Sequence, residues 1–358
     1  MLARRGLGQV APNPAVGCIL VREDLNERIV GRGWTQPGGT PHAEAEAILR
    51  AGEFSRGSTA YVTLEPCCHH GKTPPCTQAL IKAGIKKAFV AVKDPDERVS
   101  GRGIRELKAA GIKIKYGLLR KEAIRVNQGF FSRITHEKPF ITLKVASSTD
   151  GKIATKTGIS KWITNNLSRK FGHILRAEHD AILTSINTVL KDDPSLDCRL
   201  PGMRSRSPIP IILDTYLRIS PRHKIISKGR NPLIYSALEV PPQKKRNLEQ
   251  LGARVFPTKF NRQNKIDLLS VASNLSQLGF TRILLECGGE LSSSFLKAGL
   301  IDQIFWFRGP KIIGNDGISS IGNLNYKCLS QTENFVHVQN DNLGQDILSI
   351  FEKKREIL

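Results

Sequence analysis

The sequence predicts two α/β domains in tandem, and three observations lead there. Strand-sized apolar runs alternate with helix-period segments along most of the 358 residues, the pattern of sheets covered by helices. The length suits two domains better than one. The alternation is broken near the middle by Thr135-His136-Glu137-Lys138-Pro139, which sets a boundary near residue 138 and predicts domains over 1–138 and 139–358.

In the first domain the strand-like runs are Val16–Val21, Ala60–Leu64, Ala88–Val92 and Ile112–Tyr116. Helix-period segments at Ala43–Ala51, Thr77–Ala83, Gly103–Ala110 and Lys121–Arg133 fall between and after them, so a mostly parallel sheet is expected. The second domain repeats the alternation. Strands are predicted at Phe140–Ala146, Ala181–Thr184, Ile209–Leu213, Leu233–Ser236, Arg282–Glu286 and Gln303–Arg308, with helices at Leu167–Glu178, Ile266–Leu278 and Leu291–Ala298. Pro201–Pro210 and Pro241–Arg246, rich in Pro, Gly and basic residues, read as exposed loops.

Composition excludes several classes. Charged residues at 24% and apolar residues at 40% are globular values, and 31 Gly with 19 Pro follow no repeat, which argues against disorder, collagen and solenoids. No apolar run approaches the eighteen or more residues of a membrane span. The basic opening Met1-Leu2-Ala3-Arg4-Arg5-Gly6 leads into Gly8, Gln9 and Pro12 rather than an apolar stretch, so no secretory signal is expected. Seven cysteines, three of them at 67, 68 and 76, suit a reducing compartment and a metal site better than a disulfide framework.

The net charge is +22. It divides as 23 basic against 13 acidic residues over 1–138 and 31 against 19 over 139–358. An excess spread so evenly favours anionic ligands through long-range attraction without marking a nucleic-acid tail. Aromatic residues are only 6%, and no basic stripe with interleaved aromatics is visible.

The most specific chemical signal is Pro41-His42-Ala43-Glu44, followed by Pro66-Cys67-Cys68-His69-His70-Gly71-Lys72-Thr73-Pro74-Pro75-Cys76. One imidazole and two thiolates hold zinc tightly and leave the fourth tetrahedral position open. Thr40 before Pro41 and Thr73 before Pro74 read as helix N-caps with Pro at the first helical position, and a helix N-terminus favours the thiolate that binds metal. Glu44, beside the open position, can take a proton from water and hand it to a leaving amine. A closed structural site would recruit a fourth ligand from Cys68, His69 or His70, yet His-x-Glu ahead of Pro-Cys is the arrangement of hydrolytic deaminases.

Cys67 and Cys76 are nine positions apart, whereas nucleoside deaminases close with Pro-Cys-x-x-Cys. That spacing, with Pro12-Asn13-Pro14-Ala15-Val16-Gly17 and Glu65-Pro66-Cys67-Cys68-His69-His70-Gly71-Lys72-Thr73-Pro74-Pro75-Cys76, resembles the bifunctional deaminase/reductase family of riboflavin biosynthesis. The chain departs from many members in carrying Thr35 where they carry His. The resemblance implies a cytidine-deaminase-like three-layer domain in which His42, Cys67 and Cys76 hold zinc, Glu44 moves protons, and Asn13 and Lys72 contact the pyrimidine.

The second half lacks a Gly-x-Gly-x-x-Gly after a strand, but Ile283–Leu291 runs from a strand through Gly288-Gly289 into a helix, a junction whose N–H groups can cradle phosphate. Lys144–Ala154, Ser160–Thr164 and Ala181–Leu196 are similar to the reductase half of the same family. That likeness implies a dihydrofolate-reductase-like fold that takes NADPH along Ala146, Trp162, Thr188, Asp192, Gly288, Gly289, Glu290, Leu291, Ser292, Ser293 and Ser294. Ser160, Arg176, Leu196, Arg199 and Glu286 would line the substrate site, with Arg176 and Arg199 suited to a phosphate monoester. Lys144 and Asp192 are candidates for proton handling, and Trp162 reads equally well as core.

The function so implied is zinc-dependent deamination of a phosphoribosylated diaminopyrimidinone, followed by NADPH reduction of its ribosyl group to ribityl. The family also implies phosphorylated pyrimidine metabolites as partners, association of copies through the reductase domain, and a cytoplasmic place. The rival reading is a nucleic-acid-binding protein or RNA-editing zinc deaminase, which the zinc motif and basic charge allow. The cysteine spacing and the second domain weigh against it.

Overall fold

The computed structural model describes residues 1–71, 73–261 and 265–354. The chain forms two compact units: Met1–Pro139 with Gly279–Thr281, and Phe140–Leu278 with Arg282–Leu358.

In the first unit, strands β1 (Gly17–Arg22), β2 (Arg28–Trp34), β3 (Thr59–Val62), β4 (Lys87–Val90) and β5 (Lys113–Tyr116) form one sheet in the order β2-β1-β3-β4-β5. β1 runs antiparallel to both neighbours, while β3, β4 and β5 are parallel. The expectation of a mostly parallel sheet is therefore corrected to a mixed one. The difference comes from β2, which the sequence reading passed over because its polar edge positions and two glycines give no strand pattern.

Those glycines are there for packing. Helix α1 (Ala43–Ala51) lies so close to β2 that a Cβ at Gly33 would sit 2.0 Å from the Ala43 carbonyl oxygen, and one at Gly31 would sit 2.2 Å from that of Ala47. Small residues on α1, Ala43, Ala47 and Ala51, complete the contact and are buried with Cys18, Leu20, Ala60 and Val62 in the core. α2 (Cys76–Lys82) and α3 (Arg102–Ala109) add Leu80 and Leu107 to that core, each full burial of such a side chain contributing roughly 1.5–3 kcal/mol.

The single helix expected over Lys121–Arg133 is two, α4 (Arg120–Val126) and α5 (Gln128–His136). Asn127 separates them because its side chain is used elsewhere. Its Oδ1 accepts the Ala15 N–H at 2.8 Å and its Nδ2 donates to the Ala15 carbonyl at 3.0 Å, pairing both buried backbone groups of one residue.

The second unit holds β6 (Phe140–Ser148), β7 (Lys152–Ala154), α6 (Asn166–Ala177), β8 (Ala181–Ser185), α7 (Ile186–Asp192), β9 (Ile209–Leu213), α8 (Lys224–Ser227) and β10 (Leu233–Ser236). It continues with α9 (Pro242–Gln250), β11 (Arg254–Pro257), α10 (Leu268–Gln277), β12 (Arg282–Leu285), α11 (Gly289–Lys297), β13 (Gln303–Gly309), β14 (Ile318–Ser319), β15 (Phe335–Leu343) and β16 (Asp346–Lys353). Nine strands make one sheet in the order β11-β10-β9-β8-β12-β6-β13-β16-β15. All pairings from β11 to β13 are parallel, and β16 and β15 close the far edge antiparallel. Among the central strands, β8 and β12 are buried almost throughout, which is why they read in sequence as continuous apolar runs.

The loop expected over Pro241–Arg246 is instead the start of α9, with Pro242 inside the first turn, where its missing N–H costs nothing. Trp162 is corrected from possible core to surface, since it is 62% exposed. Among the described residues, no helix is long and apolar enough to cross a membrane.

The α1–β2 contact yields a prediction. Gly33→Ala pushes α1 off the sheet and costs about 1–3 kcal/mol, read as a lower denaturant midpoint for the first unit by Trp34 fluorescence. An unchanged midpoint would show that the helix gives way freely.

Candidate metal and cofactor sites

The metal constellation gathers at helix starts. His42 is the N-cap of α1 and Cys76 is the first residue of α2, with Pro75 as its N-cap. The caps expected at Thr40 and Thr73 thus fall two residues too early. Cys67 follows β3 and is tied to α2 by its carbonyl, which accepts the Thr77 N–H at 3.2 Å, and by its Sγ, which accepts the Cys76 N–H at 3.4 Å.

The donor atoms of His42, Cys67 and Cys76 all lie within 4.8 Å of one another. His42 Nδ1 is 3.3 Å from Cys76 Sγ and 3.6 Å from Cys67 Sγ. The Cys67 thiol is held down to about 4, chiefly by its hydrogen bond with Cys76, with His42 adding to the effect against burial. Two thiols, one of them favoured as thiolate, and an imidazole nitrogen on one point are a donor set that zinc fits. Cys68, His69 and His70 lie outside the cluster among the described residues, so the closed structural alternative finds no fourth ligand there. Cys68 Sγ contacts the Arg98 carbonyl instead.

Glu44, the second residue of α1, is buried at 3% exposure. Burial, and then the negative charge of Cys67, push its carboxyl up to about 7, the range in which a carboxyl both accepts and returns a proton near neutral pH. Asn13 donates its Nδ2 to the Gly39 carbonyl at 3.0 Å, which fixes the amide and leaves Oδ1 without a protein partner among the described residues. Lys72 lies outside the described residues. Thr35 is buried; its hydroxyl donates to the Pro14 carbonyl at 3.0 Å and accepts the Val16 N–H at 2.9 Å. It braces the Asn13 turn.

Two residues that the sequence reading did not single out support this site. The buried Glu65 carboxylate accepts the N–H groups of Gly101 at 2.9 Å and Ile104 at 3.1 Å, fastening the segment before Cys67 to the start of α3. Asp94, beyond the end of β4, is pushed up to about 7 by burial. Its signal was an acidic residue just past a strand's carboxyl end, where α/β sheets place functional groups.

In the second unit the predicted cofactor residues fall on strand ends and the elements that follow them. Ala146 is near the end of β6, Thr188 is in the first turn of α7, and Asp192 is its last residue. The Ser185 hydroxyl accepts the Thr188 N–H at 3.4 Å. After β12 the chain turns through Gly288, the N-cap of α11, with no side-chain cap. A Cβ at Gly288 would meet nothing within 4 Å, so the N–H groups of this turn are open to close approach, which fits a nucleotide phosphate. Gly289 is packed against the Ser319 carbonyl. Ser292, Ser293 and Ser294 bond back to the Gly288 and Glu290 carbonyls, so these hydroxyls already have partners within α11. Trp162 carries the Arg169 guanidinium 4.3 Å above its ring.

Of the predicted substrate residues, Arg176 and Glu286 are partners of each other. Arg176 Nε and Nη2 each donate to a Glu286 oxygen at 2.8 Å, and Nη1 donates to the Asp197 carbonyl at 3.0 Å. Burial alone would raise the Glu286 carboxyl, but Arg176 and Lys144 outweigh it and hold it at about 2. Lys144 is itself lowered by burial, against the pull of Glu286. Arg176 thus uses one N–H on each of its three nitrogens for Glu286 and Asp197, out of the five that a guanidinium carries. Arg199 is the exposed cation of the pair, its Nε 3.7 Å from Asp197 Oδ1. Leu196 is buried and Ser160 exposed.

The family model for the cytidine and deoxycytidylate deaminase zinc-binding region matches residues 2–92, and that for the RibD C-terminal domain matches 139–344. The riboflavin biosynthesis protein RibD of Aquifex aeolicus is 41% identical, over 98% of this chain and 96% of its own length, and that of Escherichia coli is 38% identical, over 88% and 86%. A solved structure of Acinetobacter baumannii RibD superposes with a TM-score of 0.87 at 35% identity, covering 99% of this chain and 96% of that one. The Thermotoga maritima structure described as a diaminohydroxyphosphoribosylaminopyrimidine deaminase/5-amino-6-(5-phosphoribosylamino)uracil reductase gives 0.85 at 33%, covering 99% and 96%. A reductase domain across the second half leaves the RNA-editing reading without support. The chain belongs to the RibD family of riboflavin biosynthesis, a bifunctional enzyme with a zinc-binding deaminase half and a dihydrofolate-reductase-like reductase half.

Proposed function

We propose that residues 1–138 deaminate 2,5-diamino-6-(5-phosphoribosylamino)pyrimidin-4(3H)-one and that residues 139–358 reduce the ribosyl group of the product to ribityl with NADPH. The observation that carries the first step is the buried Glu44 carboxyl next to three converging metal donors. Zinc held by His42, Cys67 and Cys76 would supply Lewis-acid activation of water at neutral pH. Glu44 accepts a proton as water adds to the ring carbon and returns it to the departing nitrogen, so ammonia leaves and a ring carbonyl replaces the amine. Asn13, its amide held by Gly39, is the candidate to accept a ring N–H through Oδ1, and Lys72 is the candidate for a second contact.

In the reductase, bound NADPH would supply a hydride; as C1′ of the ribosyl group takes it the C1′–O4′ bond breaks, and O4′ needs a proton. Lys144, whose buried ammonium gives up its proton more readily than a surface lysine, is the candidate donor, and Asp192 the alternative. The Glu286–Arg176 pair holds the charge around Lys144, and Arg199, with the remaining N–H groups of Arg176, is the candidate to meet the substrate phosphate. The reading includes a cytoplasmic place, in keeping with seven unpaired cysteines, phosphorylated pyrimidines as substrates, and association of copies through the reductase domain.

Glu44→Gln should lower ammonia release by about 10²–10⁴-fold and leave NADPH oxidation on pre-deaminated substrate unchanged. Loss of both activities in a folded, zinc-loaded variant would overturn the assignment of separate sites. A chelator should release about one zinc per chain by elemental analysis, with ammonia release lost and NADPH oxidation kept; retention of deamination in the metal-free protein would refute the metal assignment.

Glu286 offers a pH test. Its folded carboxyl is depressed to about 2, so the stability it contributes is present above the ordinary carboxylate value of about 4.3 and is lost as pH falls from there through about 2. Glu286→Gln should flatten the acid loss of stability in that window by circular dichroism and, with Arg176 left buried and unpaired, cost about 3–5 kcal/mol at neutral pH. An unaltered acid profile would mean that the pair does not titrate with folding.

A further inference from the structure

Two of the residues proposed for the reductase substrate, Leu196 and Arg199, lie on a stretch that is neither helix nor strand. After α7 ends at Asp192 the chain runs through Asp193–Arg199 on its way to β9, and Asp193 and Leu196 both take left-handed φ values, 40° and 49°. Residues with a side chain disfavour that region, and they stay in it only where their surroundings over-determine the backbone. The shape of this loop is therefore imposed by its neighbours.

Two sets of neighbours impose it. α6 fastens the far end: Arg176 Nη1 donates to the Asp197 carbonyl at 3.0 Å, His173 Nδ1 accepts the Arg199 N–H at 3.4 Å, and the Cys198 thiol meets the His173 carbonyl at 3.4 Å. The near end hangs on α8 and the turn behind it. The Lys224 N–H donates to Asp193 Oδ1 at 2.9 Å and its Nζ to the Asp193 carbonyl at 3.1 Å, while Lys228 Nζ reaches Ser195 Oγ at 3.4 Å.

Arg230, in the turn before β10, joins this loop to the sheet. Its Nη1 donates to the Ser195 carbonyl at 2.7 Å, and its Nη2 donates to the Pro208 carbonyl at 2.6 Å and the Leu196 carbonyl at 3.4 Å. Among the described residues, all of its hydrogen bonds go to backbone carbonyls. Pro208 precedes Ile209, the first residue of β9, an interior strand of the nine-stranded sheet. One partly buried guanidinium thus pins both ends of the Ser195–Leu196 step to the start of a fixed strand. A planar fork can span two chain segments in this way, which a point-charge ammonium cannot.

We propose that Arg230 is a positioning residue of the reductase: touching neither substrate nor cofactor, it holds the loop against Pro208 so that Leu196 and Arg199 stand where the phosphorylated substrate binds. Arg199 meets the phosphate, away from the reacting carbon, so a displaced loop weakens ground state and transition state alike. The signature is a raised KM with kcat kept. The inference rests on the reading that Leu196 and Arg199 line the substrate site.

The test follows NADPH oxidation by the full chain on the pre-deaminated substrate in the wild type, Arg230→Ala, Arg230→Lys, Arg199→Ala and the double variant Arg230→Ala/Arg199→Ala. Arg230→Ala should raise KM roughly 10- to 100-fold, with kcat, the NADPH dissociation constant by nucleotide fluorescence, and ammonia release from the first substrate all unchanged. Arg230→Lys should recover only part of the loss. Because Arg230 acts through the loop that carries Arg199, its effect on KM should shrink once Arg199 is alanine. An unchanged KM in Arg230→Ala, weakened NADPH binding, or an effect undiminished in the double variant overturns the inference alone. If Arg230→Ala does not fold, Arg230→Lys decides, and a wild-type KM there overturns it. An Arg199→Ala variant that keeps the wild-type KM overturns the substrate-site reading with it.

Discussion

A parallel strand delivers the chain to one end of the sheet and must be followed by a helix or loop that carries it back, and the chemistry of both units gathers where that happens. At such a junction backbone N–H groups point outward unpaired and short segments present side chains that the strands and helices hold still. Cys67 lies beyond β3, His42 and Cys76 start α1 and α2, and Asp94 lies beyond β4. In the second unit Thr188 and Gly288 occupy the equivalent places after β8 and β12. The sheets differ in strand number and in pairing, but each solves the same positioning problem.

The charged groups at these junctions are held by mutual compensation. Arg176, Glu286 and Lys144 bring three charges close together in a poorly solvated place, where none would be tolerated singly. The bidentate Arg176–Glu286 geometry offsets most of that cost and fixes the field in which Lys144 sits. The metal site is built on the complementary principle. One thiol is ionised at the expense of its neighbour, and Glu44 is kept protonatable by the same negative charge and by burial.

The sequence disclosed what depends on residue type and spacing, and withheld what depends on neighbours. His42, Cys67, Cys76 and Glu44 were legible because few chemistries need those donors in that order. Apolar runs such as Ile209–Leu213 and Leu233–Ser236 were legible because a doubly covered strand has no polar face. β2 was not, since its glycines answer to α1, which no local pattern reveals. The break at Asn127 was hidden because its partner, Ala15, is 112 residues away. The pairing of Arg176 with Glu286 was hidden for the same reason, since the two are 110 residues apart.

The strand order carries a consequence for how the molecule is made. β6 opens the second unit but occupies its centre, flanked by β12 and β13, and its Ile141 N–H is satisfied by the Asp302 carboxylate from 161 residues downstream. On the ribosome this strand emerges with both edges bare and waits for most of the remaining chain before either is covered. The first unit faces a shorter wait, since apart from Gly279–Thr281 its residues precede 140. Synthesis thus produces a nearly complete zinc-binding unit well before the reductase sheet closes, and the long separation of its central pairings marks the second unit as the slower folder of the two.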